Sequence, residues 1–333
     1  MRQTLGLFKF VVLFSSLLAF TSHAESIEQA GEARDAQVWL KKIQTSAKQL
    51  DYSGTFVYQQ GNQVRTSRIS HIRSGRNELE KLEILDGKPR EYIRNNEEIA
   101  CYVPENKSIR VEKRVSQDVF PAILGAQPDE LLQHYALKKG EIGRVAGHDC
   151  QTIILAPRDK LRYGYKLWVE QSTGLLLKAQ TLNEKNDVVE QIAFTQIVIG
   201  NVDAASVKPS FRNTQGWQVE NAVMQDADLS GWSVKAMPPG FKKTRQMKRL
   251  VTDAPAEGGQ PVQREVSQIV YTDGLAAISV FIEAGSQSRT EGTMQQGAMN
   301  IVGKRQGDYW LTIVGEVPAA AIRQVANSIE FNP

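Results

Sequence analysis

Tyr52-Ser53-Gly54-Thr55-Phe56-Val57-Tyr58 opens the part of the chain that decides the fold. β-Branched and aromatic residues crowd it, and Gly61-Asn62 follows as a turn, the pattern of a strand entering a hairpin. Upstream, Trp39, Ile43, Ala47 and Leu50 recur with helical spacing and predict one amphipathic helix over residues 25–50. Downstream, strand-like runs follow at 64–73, 78–85, 91–94, 99–103, 108–115, 142–145, 150–155, 164–170, 175–182 and 188–199. Asp86-Gly87 carries the signal of a type I′ hairpin. Residues 118–135 turn helical, with Pro128 suited to a first helical position and Asp129 and Glu130 in the first turn. Many strands, few helices and no βαβ alternation predict a mainly β fold: a large antiparallel, partly barrel-like sheet.

Residues 203–216 read as a linker, and 217–333 as a second, small α+β domain. Its expected strands are 243–251, 266–271, 276–283, 297–306 and 309–314. Pro318, Ile322, Val325 and Ile329 mark a final helix, and Thr252–Gln263 reads as a long hairpin loop.

The 333 residues are 41% hydrophobic and 23% charged, with a net charge of +3. This balance excludes a mainly disordered chain and a multi-span membrane protein, and the weak charge argues against a nucleic-acid partner. Residues 1–24 read as a secretory signal. Arg2 and Lys9 supply the positive start, Phe10 to Phe20 is an apolar core too short to span a bilayer of about 30 Å, and Ser22-His23-Ala24 is a small-x-small cleavage site. Cleavage after Ala24 would leave 309 residues with a charge near +1, exported from the cytoplasm. In an oxidising compartment Cys101 and Cys150, an even count, favour a disulfide, with two buried thiols as the alternative.

Catalytic signatures are missing: no nucleophile elbow, no phosphate loop, no dinucleotide fingerprint, and histidines without ligand spacing. No enzyme activity, metal or cofactor is expected. Three segments invite binding. Inward residues of the first strand, Tyr52, Phe56 and Tyr58, could line a cavity in an unclosed sheet, against ordinary core packing. Lys242, Lys243, Arg245, Lys248 and Arg249 form a basic patch suited to lipid phosphate or an acidic peptide, against a solvated strand face; Arg158, Lys160, Arg162 and Lys166 are a related cluster. Trp232 through Met237, Pro239, Gly240 and Phe241 has a defined, non-repetitive path that could present a recognition surface, against a domain-entry segment packed on its own sheet.

Taken together, several segments resemble the RseB/MucB family. They include Tyr52–Tyr58, Leu85-Asp86-Gly87, Cys101-Tyr102-Val103-Pro104, Arg162-Tyr163-Gly164-Tyr165-Lys166-Leu167-Trp168 and Thr173-Gly174-Leu175. In the second half they include Trp232 through Phe241, with Met237 where the family has Leu, then Thr272-Asp273-Gly274-Leu275 and Val314-Gly315-Glu316-Val317-Pro318. The resemblance covers nearly all of residues 36–331. It implies a periplasmic negative regulator of the envelope-stress sigma factor, binding the periplasmic region of a membrane anti-sigma factor (RseA or MucA). Binding would shield that factor from regulatory proteolysis, and lipopolysaccharide or another lipid amphiphile would cause release. It also implies that 25–202 is similar in fold to the lipoprotein carriers LolA and LolB, an unclosed antiparallel barrel with helices over its concave face. The rival reading is a periplasmic lipid or lipoprotein carrier. A homo-oligomer is left open.

Overall fold

A computed structural model of the chain describes residues 18–113, 120–121, 123–125, 128–221, 224–253, 262–285 and 289–332. The start of the expected export signal and most of the expected 252–263 loop lie outside these residues.

Helix α1 (Leu18–Gln49) is followed by β1 (Tyr52–Gln60), β2 (Gln63–Ser74), β3 (Asn77–Ile84), β4 (Arg90–Asn95), β5 (Glu98–Val103) and β6 (Ser108–Glu112). Then come a single helical turn α2 (Pro128–Leu131), β7 (Tyr135–Val145), β8 (His148–Pro157), β9 (Gly164–Glu170), β10 (Leu176–Leu182), β11 (Val188–Ile199) and β12 (Gln218–Asn221). These twelve strands form one unclosed sheet in the order β12-β6-β5-β4-β3-β2-β1-β11-β10-β9-β8-β7. All its ladders are antiparallel except β12 on β6. The sheet curls enough that β7 approaches β11.

Pairing register separates two faces, because alternate residues point to opposite sides. One face carries Tyr52, Phe56, Phe194, Leu167 and Ala179 and receives the Ala36, Leu40, Ile43 and Ala47 stripe of α1 in a single core. Gly174 is required there: a side chain at its φ of +79° would meet Lys42 of α1 at 2.8 Å. The opposite face is covered only in part. Residues 204–217 run across β2 to β6. Ser210 receives a bond from the Lys81 ammonium at 2.6 Å and donates its backbone N–H to Glu91, while Phe211 and Trp217 pack on Tyr102. The expected linker is therefore bound to the first sheet, and β12 extends that sheet beyond it.

The second unit is a seven-stranded sheet, ordered β13-β15-β16-β17-β20-β19-β18. It comprises β13 (Met224–Asp226), β15 (Lys242–Asp253), β16 (Val262–Thr272), β17 (Ala277–Ala284), β18 (Gly292–Gln296), β19 (Met299–Gln306) and β20 (Tyr309–Gly315), while β14 (Trp232–Val234) pairs separately with β21 (Ile329–Phe331). Helix α3 (Ala319–Asn327) buries Ala321, Ile322 and Val325 against the Ile269, Ile278, Val280 and Ile313 face. Two local expectations change. Part of the expected 118–135 helix (118–119, 122 and 126–127) lies outside the described residues, and among the described ones only α2 is helical; Asp86-Gly87 sits in a five-residue connection rather than a two-residue turn.

The two units are joined by a buried clasp. The Arg162 and Asp273 side chains are both fully buried, with Nη1 donating to Asp273 Oδ2 at 2.8 Å. Nη2 donates to the Pro239 carbonyl at 2.5 Å and Nε to the Asp159 carboxylate at 3.1 Å. The Tyr135 and Phe241 rings lie 5.5 and 5.7 Å from the guanidinium carbon. Leu161 of the first unit packs on the second core, and Leu275 of the second packs on the first.

The disulfide expectation is corrected: Cys101 and Cys150 are free thiols. They sit on β5 and β8, with seven strands between them in the sheet order, whereas a disulfide needs Cα atoms within about 7 Å. Burial pushes the Cys150 thiol up to about 11, and Cys101 is raised for the same reason despite a hydrogen bond with Tyr92. Mass spectrometry after alkylation in denaturant should find two modified thiols without reduction, and Cys150 should react slowly in the native protein.

Tyr52 stacks on His71 at 4.8 Å, and the ring Nε2 of His71 lies 3.2 Å from Glu78. Burial opposes charge on this histidine. The Glu78 hydrogen bond, the Leu50 carbonyl and the Glu80 charge outweigh it, so its pKa is raised. That stabilisation is complete below the unfolded value near 6.5 and is lost as pH rises through the raised folded value. Urea midpoints should therefore fall between pH 6 and 8.5 more in the wild type than in His71→Gln.

Arg162→Met leaves the Asp273 charge buried and should cost about 3–5 kcal/mol in denaturant titrations. Adding Asp273→Asn should recover much of that loss; strict additivity of the two changes would refute a paired clasp.

Candidate functional site: the cleft between the units

Above the clasp the two units leave an open cleft of about 880 Å³. One wall comes from the first sheet and its loops: Glu97, Glu112, Ile123 and Gly125. The other is the second sheet's face opposite α3, where Arg245, Met247 and Arg249 of β15 face Gln268, Val270, Ser279 and Val314. Glu316 stands at its edge, its carboxyl raised by burial and by Glu190. The Gly125 N–H donates to the Gly274 carbonyl at 2.9 Å and ties the walls together.

Arg249 is the distinctive group. Its guanidinium lies over the Phe281 ring at 5.2 Å, and its Nε is buried with no acceptor among the described residues. A buried donor without an acceptor costs about 1–3 kcal/mol, which an anionic occupant would recover. The cleft suits an occupant with apolar groups and at least one carboxylate or phosphate.

The expected basic patch is divided rather than continuous. Strand alternation and a bulge between Lys243 and Arg245 send Arg245 and Arg249 into the cleft. Lys248 pairs with Glu265 at 2.8 Å, Lys242 pairs with Glu130 at 2.8 Å, and Lys243 donates to Gln246.

The residues of the expected partner-peptide surface are drawn toward the second core and the clasp to different degrees. Trp232 stacks on Phe331 at 4.5 Å and meets Tyr309 edge-on, and Met237 packs on the second core. Phe241 is 8% exposed and covers Arg162. Pro239 gives its carbonyl to the same guanidinium, though the residue itself is exposed. Gly240 has φ +85°, and a side chain there would strike the His134 ring at 2.2 Å. Phe241 and the Pro239 carbonyl thus help to join the two units, while Pro239 itself stays exposed and Trp232, Met237 and Gly240 are half-buried.

Of the residues expected to line a lipid cavity, Tyr52 and Phe56 have core contacts among the described residues. Tyr52 is 1% exposed and bonds the Ala47 carbonyl, while Phe56 packs on Phe120 and Phe194 at 5.5 and 5.8 Å. Tyr58 leaves this core and donates to Glu190 at 2.9 Å, beside the seam between units. Sequence reading missed the roles of Arg162 and Asp273, which lie 111 residues apart, and of Glu97 and Glu112.

Among the described residues no group of three or more potential ligands could hold a metal ion, and no helix is long and apolar enough to cross a membrane.

The MucB/RseB N-terminal domain family matches residues 35–214, and the MucB/RseB C-terminal domain family matches 226–330. The chain is 31% identical over 307 residues to the sigma factor AlgU regulatory protein MucB of Pseudomonas aeruginosa, covering 90% of this chain and 92% of that protein. It is 24% identical over 332 residues to the sigma-E factor regulatory protein RseB of Haemophilus influenzae, covering 97% and 98%. The crystal structure of MucB in complex with MucA(peri) aligns with a TM-score of 0.69 at 28% identity, over 90% of this chain and 99% of that one. A second MucA/MucB complex of Pseudomonas aeruginosa gives 0.68. These relatives are regulatory proteins rather than enzymes, and the chain belongs to the MucB/RseB family of sigma factor regulators.

Proposed function

We propose that the protein is a periplasmic negative regulator of an envelope-stress sigma factor, exported with loss of residues 1–24, and that it binds the periplasmic segment of a membrane anti-sigma factor in the cleft between its two units. The observation that carries this reading is Arg249: a cation over an aromatic ring, with a buried donor lacking an acceptor among the described residues, in an open cleft of about 880 Å³. The MucB structures with MucA lend it support by similarity. A segment held there is shielded from a protease, because cleavage needs an extended, accessible backbone.

Lipid-induced release, by lipopolysaccharide or another amphiphile, follows from linkage. Phe120 closes the aromatic core with Phe56 and Phe194, and a few residues later Ile123 and Gly125 line the cleft. An acyl chain entering beside Phe56 displaces Phe120 and moves the cleft wall attached to it. The rival reading as a carrier is less favoured, because Tyr52, Phe56, Phe120 and Phe194 pack together in the core that also receives α1.

Two outcomes test this. Arg249→Gln should weaken binding of the anti-sigma periplasmic peptide about tenfold to a hundredfold by calorimetry, with unchanged thermal unfolding. Unaltered affinity would place the peptide elsewhere. Phe120→Ala should lower the lipid concentration needed for release; an unchanged or raised threshold would break the proposed link.

A further inference from the structure

The face of the first sheet opposite α1 is unequally covered. Residues 204–217 lie over β2 to β6, while the part formed by β8 to β11 has no such cover among the described residues. At its centre stands Trp168 of β9. Its cross-strand neighbour on β10 is Lys178, whose ammonium lies 4.6 Å from the ring centroid. Lys166, two residues earlier on the same strand and therefore on the same face, places its ammonium 5.0 Å from the same ring.

Two cations share one indole, and among the described residues neither has a carboxylate within ion-pair distance. The nearest acidic side chain along the strand, Glu170, is occupied by the N–H groups of Ser172 and Thr173 and the Thr173 hydroxyl. The indole itself lies close over Gly143, where a side chain would come within 3.0 Å of its Nε1. The indole N–H also has no acceptor among the described residues. Burial and the neighbouring Lys166 both lower the Lys178 pKa, so the pair strains against its own charge.

A cluster of three donor groups with no acceptor is chemically complementary to a tetrahedral oxyanion. We infer that Lys166, Trp168 and Lys178 form a phosphate-binding site on the outer face of the first sheet, separate from the cleft. The ammonium groups neutralise the anion, and the ring holds both lysines in place. The same chemistry is offered by free phosphate and by a phospholipid headgroup, and this inference does not depend on the anti-sigma reading.

The test follows the indole N–H resonances of the five tryptophans by NMR, with Trp168 assigned through Trp168→Phe, during titration with inorganic phosphate at constant ionic strength. A saturable shift confined to Trp168 is expected. Lys166→Gln and Lys178→Gln should each weaken it about tenfold, and the double change should abolish it without lowering thermal stability. Flotation with phosphatidylglycerol and phosphatidylcholine vesicles separates the sources. Lysine-dependent binding to phosphatidylglycerol alone identifies a headgroup, and a phosphate response without vesicle binding identifies the free anion. The inference is overturned if neither probe binds, if all five indoles shift together, or if the double variant behaves as wild type.

Discussion

Burying the Arg162 guanidinium is the constraint on which the arrangement of the two units depends. An isolated charge moved out of water costs many kcal/mol, so such a group persists only where its donors are met. Here all three nitrogens have acceptors, drawn from Asp159 on one unit and from Asp273 and Pro239 on the other. Neither unit alone can supply that set. Docking is therefore part of folding this side chain, and the cleft above it has walls at a fixed separation. Asp273 is held in turn, since its second oxygen accepts from the Leu275 and Ala276 N–H groups. The turn that presents the acid is the same turn that inserts Leu275 into the first core.

This arrangement explains what the sequence could and could not reveal. The strands were legible because alternation is local: β1, β8, β9, β15 and β20 lie close to where side-chain patterning puts them. The short strands β12, β13, β14, β18 and β21 were not, since three to five polar or mixed residues carry no period of their own. Their partners define them. The clasp was illegible for a different reason. Arg158, Lys160, Arg162 and Lys166 read as one basic cluster, but Arg162 turns into the seam while Lys166 points out from the sheet. Identical charges in one run acquire opposite fates once pairing register is imposed.

The same separation of faces divides Lys242 to Arg249. A run of bases on a helix or loop would make one field; on a strand it makes two, and the bulge between Lys243 and Arg245 shifts the phase again. Only Arg245 and Arg249 reach the cleft, and they do so beside Met247 and Val270. Composition pointed correctly to basic groups in this strand but overstated their joint action. The cysteines follow similar logic. An even count in an exported chain is a statistical argument for a bridge, and sheet order overrides it by placing β5 and β8 far apart.

A filled aromatic core changes what lipid sensing would require. An empty cavity could bind a lipid without consequence for the rest of the molecule. Where Phe56, Phe120 and Phe194 already occupy the space, an acyl chain must displace a ring, and its binding energy is spent on rearrangement. The ring with the shortest route to the cleft is Phe120, which lies five residues before Gly125 and its bond to Gly274. Occupancy of the core and closure of the cleft then draw on one short segment. The two ligands would compete through that segment without touching, and each would weaken the other by the same factor.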